Sequence, residues 1–341
     1  MWVFARAPNR ILDLGGWTDT HFAGSGKVLN FAVSLFARVI IKSSPEPGIV
    51  AELIDYEKKL HFKNLAELSR QKDFELVWAG LKRMGVEKGI QLSLSSDLPP
   101  GAGTGGSASV SVALLLALAR LQGKVLNKKD LAQLAHQLEV EDLKRESGVQ
   151  DQISASYGGI NFIEINPYPN FQVFPLHLPF ELLFELENSL LLVYDQKGHQ
   201  SSEVHKKVIA RLKERDSEVK EILKELANCA KQGKTALERR DLEEFSRWVQ
   251  QNHQLQKSLH PEISTPNFEE IEKLAFEKGA RAVKINGAGG GGSMSIIIPP
   301  PAREKLKREL IKKGYQVFDF TLAMEPARAI LSREKEKWSG E

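Results

Sequence analysis

The chain has 341 residues, of which 42% are hydrophobic and 27% charged, with a formal net charge of +3. This length suffices for two domains with substantial cores, and basic and acidic residues are interleaved over 206–247, which argues against a nucleic-acid partner. A single cysteine, Cys229, excludes an internal disulfide and a cysteine metal cluster, so we expect a reducing compartment.

The N-terminal segment predicts two short strands, Trp2–Ala5 and Ile11–Leu14, followed by a tight turn at Gly15-Gly16. There is no room before them for a signal peptide, and the longest apolar run, Ala108–Leu121, is too short to cross a bilayer. We therefore expect a cytoplasmic protein without a membrane partner. The alternating pattern of Val28–Lys42 predicts strands that cross a sheet.

A glycine-rich loop follows a predicted helix at Phe74–Met84 and a predicted strand at Ile90–Ser95. Four glycines in six positions expose backbone N–H groups in a concave loop, and a helix beginning at about Ser107 adds its positive dipole end. Such a loop predicts a phosphate site. The residues assigned to it are Pro100, Gly101, Ala102, Gly103, Thr104, Gly105, Gly106, Ser107 and Ala108.

Two other nucleotide-binding patterns fit this sequence poorly. The loop glycines satisfy G-x-G-x-x-G, but the helix after them leads to a second helix, where a dinucleotide-binding fold needs a strand that ends in an acidic residue. The P-loop pattern fails at Gly233-Lys234-Thr235, because Asn228 occupies the place of its first glycine. We interpret that tripeptide as a turn between two helices.

The remainder of the chain changes from mixed elements to long, charge-laced helices. In order, the predicted elements are a helix at Asn127–Glu146, a glycine-hinged turn at Ser147–Gln152, strands at Ile160–Ile165, Gln172–Leu176 and Ser189–Tyr194, helices at Ser201–Gln232, Asp241–Leu259 and Phe268–Lys278, strands at Ala282–Ile285 and Ser293–Ile298, a helix at Ala302–Lys313 and a strand at Tyr315–Thr321. The elements from Ala282 onward predict a split β-α-β, or ferredoxin-like, domain.

Three segments together resemble a known family: Arg6–Asp19, the glycine-rich loop, and Lys284–Ser293, where five of six consecutive positions are glycine. In this order they resemble the three motifs of the GHMP kinases, the family of galactokinase, homoserine kinase, mevalonate kinase and fucokinase. The resemblance covers nearly the whole chain and implies an α+β fold of two domains. These would be an N-terminal α/β domain at 1–185, containing the phosphate loop, and a C-terminal ferredoxin-like domain at 186–335.

The resemblance also implies ATP and Mg2+ as cofactors and assigns roles to individual residues. Asp151 would be the general base for the acceptor hydroxyl, and Arg10 beside it would neutralise developing charge. Ser107 and Glu139 would hold the magnesium ion together with oxygens of ATP. The predicted substrate contacts are Arg10, Gly15, Gly16, Trp17, Asp19, Gly148, Asp151, Gly289 and Gly290.

Several of these residues also have an ordinary structural interpretation. An aspartate after a glycine turn, such as Asp151, commonly caps a helix, and Asp19 fits an Asx turn with Trp17 in the core. Glu139 belongs to a short acidic run with Glu141, as on a solvated helix face. The functional interpretation of each residue therefore depends on the three motifs occurring together.

Within the family, Gly15–Asp19 and Val149–Gln152 resemble the heptose-phosphate and fucose branches. The likeness implies transfer to the anomeric oxygen of a small-molecule sugar, with D-glycero-D-manno-heptose 7-phosphate ahead of L-fucose. A substrate phosphate would need a cationic pocket, for which Lys197, Lys206 and Lys207 are candidates. Two other classes stay open at this point, a nucleotide-binding regulatory protein without turnover and a Rossmann oxidoreductase; no oligomeric state is predicted.

Overall fold

The computed structural model describes residues 1–196, 206–211 and 216–332. In this part of the chain the strands form one eight-stranded sheet and one four-stranded sheet. The candidate cation Lys197 and the start of the predicted helix Ser201–Gln232 lie outside these ranges.

The larger sheet is built mainly from the first half of the chain. Its strands, numbered along the chain, are β1 (Trp2–Leu14), β2 (Gly26–Ser43), β3 (Ile49–Leu53), β4 (Lys58–Phe62), β5 (Ile90–Ser96), β6 (Ile160–Ile165), β7 (Phe171–Leu176) and β12 (Arg328–Ser332). Their order is β12-β1-β2-β5-β3-β4, and β6 pairs with β2 and β7. Only β3 and β5 pair in parallel among these described strands.

Strand β1 takes the place of the two strands predicted for the N-terminus. It continues from Trp2 to Leu14, with register shifts between Pro8 and Asn9 and between Ile11 and Leu14. A β-bulge accommodates a proline, which has no backbone N–H to donate, and bends a strand without ending it. The interruption in the sequence pattern is therefore a pair of irregularities within one strand, and the prediction of two separate strands was wrong.

Six helices accompany the strands up to residue 189 in the described chain. They are α1 (Leu65–Leu68), α2 (Glu75–Met84), α3 (Gly106–Leu121), α4 (Lys128–Gln137), α5 (Gln150–Tyr157) and α6 (Phe180–Ser189). The predicted helix Asn127–Glu146 is shorter than expected, because α4 ends at Gln137 and a single π-helical turn, Leu138–Asp142, replaces its last part. Such turns are frequent at functional sites, and this one buries Glu139.

The smaller sheet has the predicted ferredoxin-like connectivity. Its strands are β8 (Leu190–Tyr194), β9 (Ala282–Ile285), β10 (Ser293–Ile297) and β11 (Gln316–Phe318), and its helices are α7 (Asp216–Glu238), α8 (Leu242–Leu259), α9 (Pro266–Glu277) and α10 (Pro300–Lys312). The antiparallel order β11-β8-β10-β9 gives a β-α-β-β-α-β unit. The predicted α+β class is confirmed.

The tripeptide Gly233-Lys234-Thr235 is not a turn but lies inside helix α7. A Cβ atom at Gly233 would lie 2.8 Å from Leu14 Cδ2 and 3.5 Å from Leu29 Cδ2, so the glycine allows the helix to pack closely against the larger sheet. The chain turns instead just before Asp241, whose Oδ1 accepts a hydrogen bond of 2.8 Å from the backbone N–H of Glu244 and caps α8.

A shared hydrophobic core joins the two sheets. Buried side chains from the larger sheet, such as Leu14 and Phe31, belong to the same cluster as Leu192 and Ile297 from the smaller sheet and Phe245 from α8. Strand β12 then returns the chain to the larger sheet, antiparallel to β1. Division of the chain after residue 185 stays a prediction. Within the described ranges, no helix is both long and apolar enough to cross a membrane.

Candidate active site

The glycine-rich loop and the third glycine segment lie against each other. A Cβ atom at Gly287 would lie 2.8 Å from the carbonyl oxygen of Gly103, and one at Gly292 would lie 2.8 Å from that of Gly101. The Ser293 hydroxyl donates a 2.6 Å hydrogen bond to the carbonyl oxygen of Ala102. The glycines of the third segment therefore allow close backbone approach to the loop.

The loop itself has the conformation of a concave phosphate site. Gly101, Gly103 and Gly105 have φ values of 76°, 74° and 74°, in the left-handed region that favours glycine. Helix α3 begins at Gly106, so Gly105 is the N-cap and Ser107 the second helical residue. The Ser107 side chain is exposed. The remaining loop residues are buried Ala102, Thr104 and Ala108 and exposed Pro100.

Arg10 and Asp151 form an ion pair beside this loop. Arg10 Nε donates to Asp151 Oδ1 at 2.9 Å, and Arg10 Nη1 donates to the carbonyl oxygen of Gly103. The arginine is only 4% exposed. Burial alone would lower the pKa of Arg10, but Asp151 and then Asp13 raise it above its ordinary value, so the guanidinium stays charged. A Cβ atom at Gly105 would lie 3.2 Å from Asp151 Cγ, so this carboxyl group borders the phosphate loop.

Asp151 lies in a helix and not in the turn predicted for it. Helix α5 begins at Gln150, after Val149 as N-cap, and Asp151 is the second residue of its first turn. Negative charge is favoured at this end of a helix because the backbone N–H groups there point outward. The glycine-hinged turn is therefore shorter than predicted and ends before the carboxylate.

Asp19 lies on the other side of the start of α5. Its Oδ2 accepts a 3.0 Å hydrogen bond from the backbone N–H of Gln150, and a Cβ atom at Gly148 would lie 2.0 Å from that same oxygen. Burial raises the pKa of Asp19 to about 6, against the opposing hydrogen bond from Gln150. Asp19 therefore contacts Gln150, the residue that precedes Asp151. With a pKa of about 6, its carboxyl group is mostly ionised at neutral pH.

The glycine turn before Asp19 is fixed by close packing. Gly15 has a φ of 77°, and a Cβ atom there would lie 2.0 Å from the carbonyl oxygen of Lys27. At Gly16 a Cβ atom would lie 2.6 Å from Asp13 Oδ2. Trp17 is 5% exposed and belongs to the hydrophobic cluster of the smaller sheet. Its indole thus packs in the core, and its contact with substrate stays a prediction.

Ser107 and Glu139 come together as a hydroxyl and carboxylate pair. Ser107 Oγ donates to Glu139 Oε1 at 2.8 Å, while Glu139 Oε2 accepts from Ser147 Oγ at 2.9 Å and Gln152 Nε2 at 2.8 Å. Burial raises the pKa of Glu139, and the hydrogen bonds from Ser107 and Ser147 oppose that rise. By contrast, Glu141 pairs with Arg83 at 2.9 Å on the surface. Both glutamates belong to the π-helical turn, but Glu139 is buried and Glu141 is exposed, so Glu139 is not on a solvated face.

Gly289 and Gly290 contact a short helical turn, Pro261–Ile263. A Cβ atom at Gly289 would lie 2.6 Å from Ile263 Cγ2, and the backbone N–H of Gly290 donates to the carbonyl oxygen of Ile263 at 2.8 Å. These contacts fix the outer part of the third segment. A role of the two glycines in binding substrate stays a prediction.

The comparisons with known proteins agree with this geometry. Residues 73–159 match the GHMP kinases N terminal domain, and residues 234–316 match the GHMP kinases C terminal domain. A mevalonate kinase from Pyrococcus horikoshii is 30% identical, over 82% of this chain and 78% of that protein. The chain belongs to the GHMP kinase family. It is therefore a phosphotransferase with an alcohol group as acceptor, and the alternative of a Rossmann oxidoreductase is wrong.

Two further proteins are similar to this GHMP kinase over nearly its whole length. The D-glycero-alpha-D-manno-heptose 7-phosphate kinase of Campylobacter jejuni is 29% identical, over 96% of this chain and 98% of that protein. A crystal structure of a D-glycero-D-manno-heptose 1-phosphate kinase from Bacteroides thetaiotaomicron has a TM-score of 0.79 at 22% identity and covers 97% of this chain and 100% of that chain. The latter likeness confirms the two-sheet fold.

The structure of this GHMP kinase also reveals buried charged residues that sequence reasoning missed. Asp13 and Lys284 are each 1% exposed, and Lys284 Nζ lies 3.5 Å from Asp13 Oδ1. Their signal in the sequence is a charge inside an apolar run, Ile11–Leu14 for the aspartate and Ala282–Ile285 for the lysine. Charged residues at such positions are rarely buried unless they are paired, but the sequence does not identify the partner.

Proposed function

We propose that this GHMP kinase transfers the γ-phosphoryl group of ATP, in a magnesium-dependent reaction, to the anomeric hydroxyl of D-glycero-D-manno-heptose 7-phosphate. The observation that carries the proposal is the Arg10–Asp151 pair, which lies between the phosphate loop and Asp19. Similarity to the Campylobacter jejuni kinase over nearly the whole chain supports this choice of acceptor.

The residues present fit ATP and magnesium. Left-handed glycines at alternate positions before helix α3 leave backbone N–H groups available for phosphate oxygens. Ser107 and Glu139 provide one hydroxyl and one buried carboxylate, which accepts hydrogen bonds from Ser107, Ser147 and Gln152. Arg145 donates to the Ser107 hydroxyl at 2.8 Å. Among the described residues no group of three or more His, Cys, Asp and Glu forms a metal site, so the pair would hold the ion together with oxygens of ATP, where it would neutralise phosphate charge.

In this proposal Asp151 accepts the proton of the acceptor hydroxyl. As that proton moves to the carboxylate, the hydroxyl oxygen forms its bond to the γ-phosphorus, and the bond between this phosphorus and the ADP oxygen breaks. Arg10 holds the Asp151 carboxylate through an ion pair of 2.9 Å before the reaction and stabilises negative charge on the attacking oxygen during it. Both tasks need a permanently charged group, which a buried arginine between carboxylates supplies.

Asp19 is suited to bind hydroxyl groups of a sugar. Its buried carboxylate is held by the N–H of Gln150 and is mostly ionised at neutral pH, so it has lone pairs left to accept hydrogen bonds from a polyol. The substrate would then lie between Asp19 and Asp151, with one hydroxyl directed toward the phosphate loop. This arrangement fits a hydroxyl-rich acceptor better than an apolar one.

Among the described residues, the phosphate of the heptose has no assigned partner. Lys207 already pairs with Glu262 and borders a cavity of about 650 Å3, which is also lined by Arg211, Lys257 and His260. Arg211 and Lys257 are likewise paired with glutamates. The choice of a phosphorylated heptose therefore rests on the sequence likeness and not on a free cationic pocket.

A substrate panel tests the proposal. ADP release is measured with D-glycero-D-manno-heptose 7-phosphate, L-fucose, galactose, homoserine and mevalonate, and the product is identified by 31P NMR. We expect the highest kcat/KM for the heptose 7-phosphate and a new phosphate at its anomeric carbon. Preference for free fucose would change the assigned acceptor, but the protein would still be assigned as a sugar kinase. Activity confined to mevalonate or homoserine would overturn the sugar assignment, and so would an absence of turnover with every acceptor.

A further inference from the structure

Four charged side chains of alternating sign connect the smaller sheet to the proposed base. Lys284 Nζ lies 3.5 Å from Asp13 Oδ1, Asp13 Oδ1 lies 3.8 Å from Arg10 Nη1, and Arg10 Nε lies 2.9 Å from Asp151 Oδ1. The side chains of Lys284, Asp13 and Arg10 are 1%, 2% and 4% exposed, respectively. Lys284 belongs to β9, whereas Asp13 and Arg10 belong to β1.

Arg10 has two carboxylates within ion-pair distance and makes its hydrogen bond to only one of them. The bond goes to Asp151, and the longer contact of 3.8 Å goes to Asp13. A buried carboxylate without a compensating cation is strongly unfavourable. If Asp13 had no other cation, the nearby guanidinium of Arg10 would gain by turning toward it and away from Asp151.

Lys284 supplies that other cation and is held in place. Its Nζ donates to Gln256 Oε1 at 2.6 Å and to the carbonyl oxygen of Ile285 at 2.5 Å, in addition to its contact with Asp13. Burial lowers the pKa of Lys284, and Asp13 opposes that effect. The three contacts of Nζ fix the lysine beside Asp13, where it is the cation that can balance this carboxylate.

Asp13 is also confined on its remaining sides. A Cβ atom at Gly16 would lie 2.6 Å from Asp13 Oδ2, and the backbone N–H of Gly287 lies 3.4 Å from Asp13 Oδ1. The aspartate thus lies between the first and the third glycine segments, close to both. A negative charge on Asp13 that no other cation balances would attract the guanidinium of Arg10, which lies 3.8 Å away.

We propose that Lys284 is a positioning residue for phosphoryl transfer: by neutralising Asp13 it keeps the guanidinium of Arg10 on Asp151. This inference rests on the proposed roles of Arg10 and Asp151 but not on the identity of the acceptor. Lys284 is separated from Asp151 by Asp13 and Arg10. It acts through the buried chain of charges and links the smaller sheet to the catalytic pair.

The direct test is the crystal structures of two variants, which need no substrate. In Lys284→Met we expect Arg10 to have turned to Asp13 and to have lost its hydrogen bond to Asp151. In Asp13→Asn/Lys284→Met the competing charge is gone, so we expect the Arg10–Asp151 bond to be restored. An Arg10–Asp151 bond that is unchanged in the single variant overturns the proposal.

Kinetics give the second test, with whichever alcohol the parent enzyme phosphorylates. We expect Lys284→Met to lower kcat by about 10²-fold, since misplaced catalytic groups have effects of this size, while KM for ATP stays close to that of the parent. The double variant should recover most of the lost kcat. Lys257→Met, which removes a lysine paired with Glu269 and Glu272, is the control and should change neither parameter.

Failure of the acceptor assignment and failure of this inference give different results. A different preferred acceptor leaves both the structural test and the expected recovery intact. Loss of kcat in Lys284→Met without recovery in the folded double variant would contradict the positioning role. Failure of both variants to fold, as judged by circular dichroism, would assign Lys284 and Asp13 to folding alone and would also overturn the proposal.

Discussion

The carboxylate of Asp19 accepts a 3.0 Å hydrogen bond from the backbone N–H of Gln150. This single contact joins the first glycine turn to the helix that holds Asp151, because Gln150 is the first residue of α5 and Asp151 the second. The two carboxylates proposed to face the acceptor are therefore fixed relative to each other by backbone. Their chemistry differs because Asp151 pairs with Arg10, whereas Asp19 is buried with a raised pKa of about 6.

Replacing Asp151 by asparagine should abolish phosphoryl transfer while leaving ATP affinity close to that of the parent. A general base contributes about 10²–10⁴-fold to the rate, and the asparagine oxygen still accepts the hydrogen bond from Arg10. A coupled ADP assay measures kcat, and calorimetric titration measures ATP binding. Turnover within a few-fold of the parent would show that Asp151 positions substrate without taking its proton.

The variant Ser107→Ala should raise KM for Mg·ATP, and it should lose about 1 kcal/mol of stability with its hydrogen bond to Glu139. Ser107 is not the N-cap of α3, a position held by Gly105, so the cost of about 1 kcal/mol for losing a cap does not apply. The matched control is Ser109→Ala on the same helix, whose buried hydroxyl donates to the carbonyl oxygen of Pro8 at 2.8 Å. That variant should lose about 1 kcal/mol of unfolding free energy and keep its magnesium dependence. A loss of stability in Ser107→Ala with an unchanged KM for Mg·ATP would make Ser107 a purely structural residue.

Asp19 should make the protein less stable as pH rises from about 4 to about 6. Its pKa is raised from 3.8 to about 6 in the folded protein, so between these values the folded state binds more protons than the unfolded state and stability falls with increasing pH. The full effect is on the order of 3 kcal/mol. Denaturant unfolding of the parent and of Asp19→Asn at pH 4.5 and 7.5 isolates this contribution. The variant should gain stability relative to the parent at the higher pH, and a constant difference between the two proteins would contradict the raised pKa.

Gly148→Ala should impair activity more than stability. The new Cβ atom would lie 2.0 Å from Asp19 Oδ2 and displace that carboxylate from Gln150. We expect kcat/KM for the acceptor to fall by at least about tenfold, because substrate-positioning groups tolerate little displacement. The control is Gly233→Ala, where the added methyl group meets Leu14 at 2.8 Å in the core. It should cost about 1–3 kcal/mol of stability and leave KM unchanged; equal kinetic effects of both variants would refute a specific role of Gly148.

Local sequence patterns predicted most elements because their causes are local. Apolar patterns identified the four strands of the smaller sheet and five of the larger one, but β3, β4 and β12 were not predicted. Gly85, with a φ of 67°, ends α2 where the sequence indicated. The first strand was wrongly divided into two because the sequence pattern of a bulge at Pro8-Asn9 resembles that of a strand end. Gly233 was read as a turn because the sequence does not show that Leu14 packs against it.

The candidate site was predictable only in part for the same reason. Arg10, Asp151, Ser107 and Glu139 come from recognisable motifs, and the structure brings them together in the two expected pairs. The contact between Lys284 and Asp13 joins residues 271 positions apart, and no local pattern indicates it. The π-helical turn that directs Glu139 inward likewise depends on tertiary packing, because the sequence around it is that of an ordinary amphipathic helix.

The return of the chain to the larger sheet has a consequence for any attempt to separate its two halves. Strand β12 pairs with β1 in a register that sets Trp2 opposite Ser332 and Arg6 opposite Arg328. A fragment that ends after residue 185 would leave β1 as an edge strand with a row of unpaired backbone groups, which favours aggregation. Because Arg10 is on that strand, the last strand of the described chain protects the strand that holds the proposed catalytic arginine.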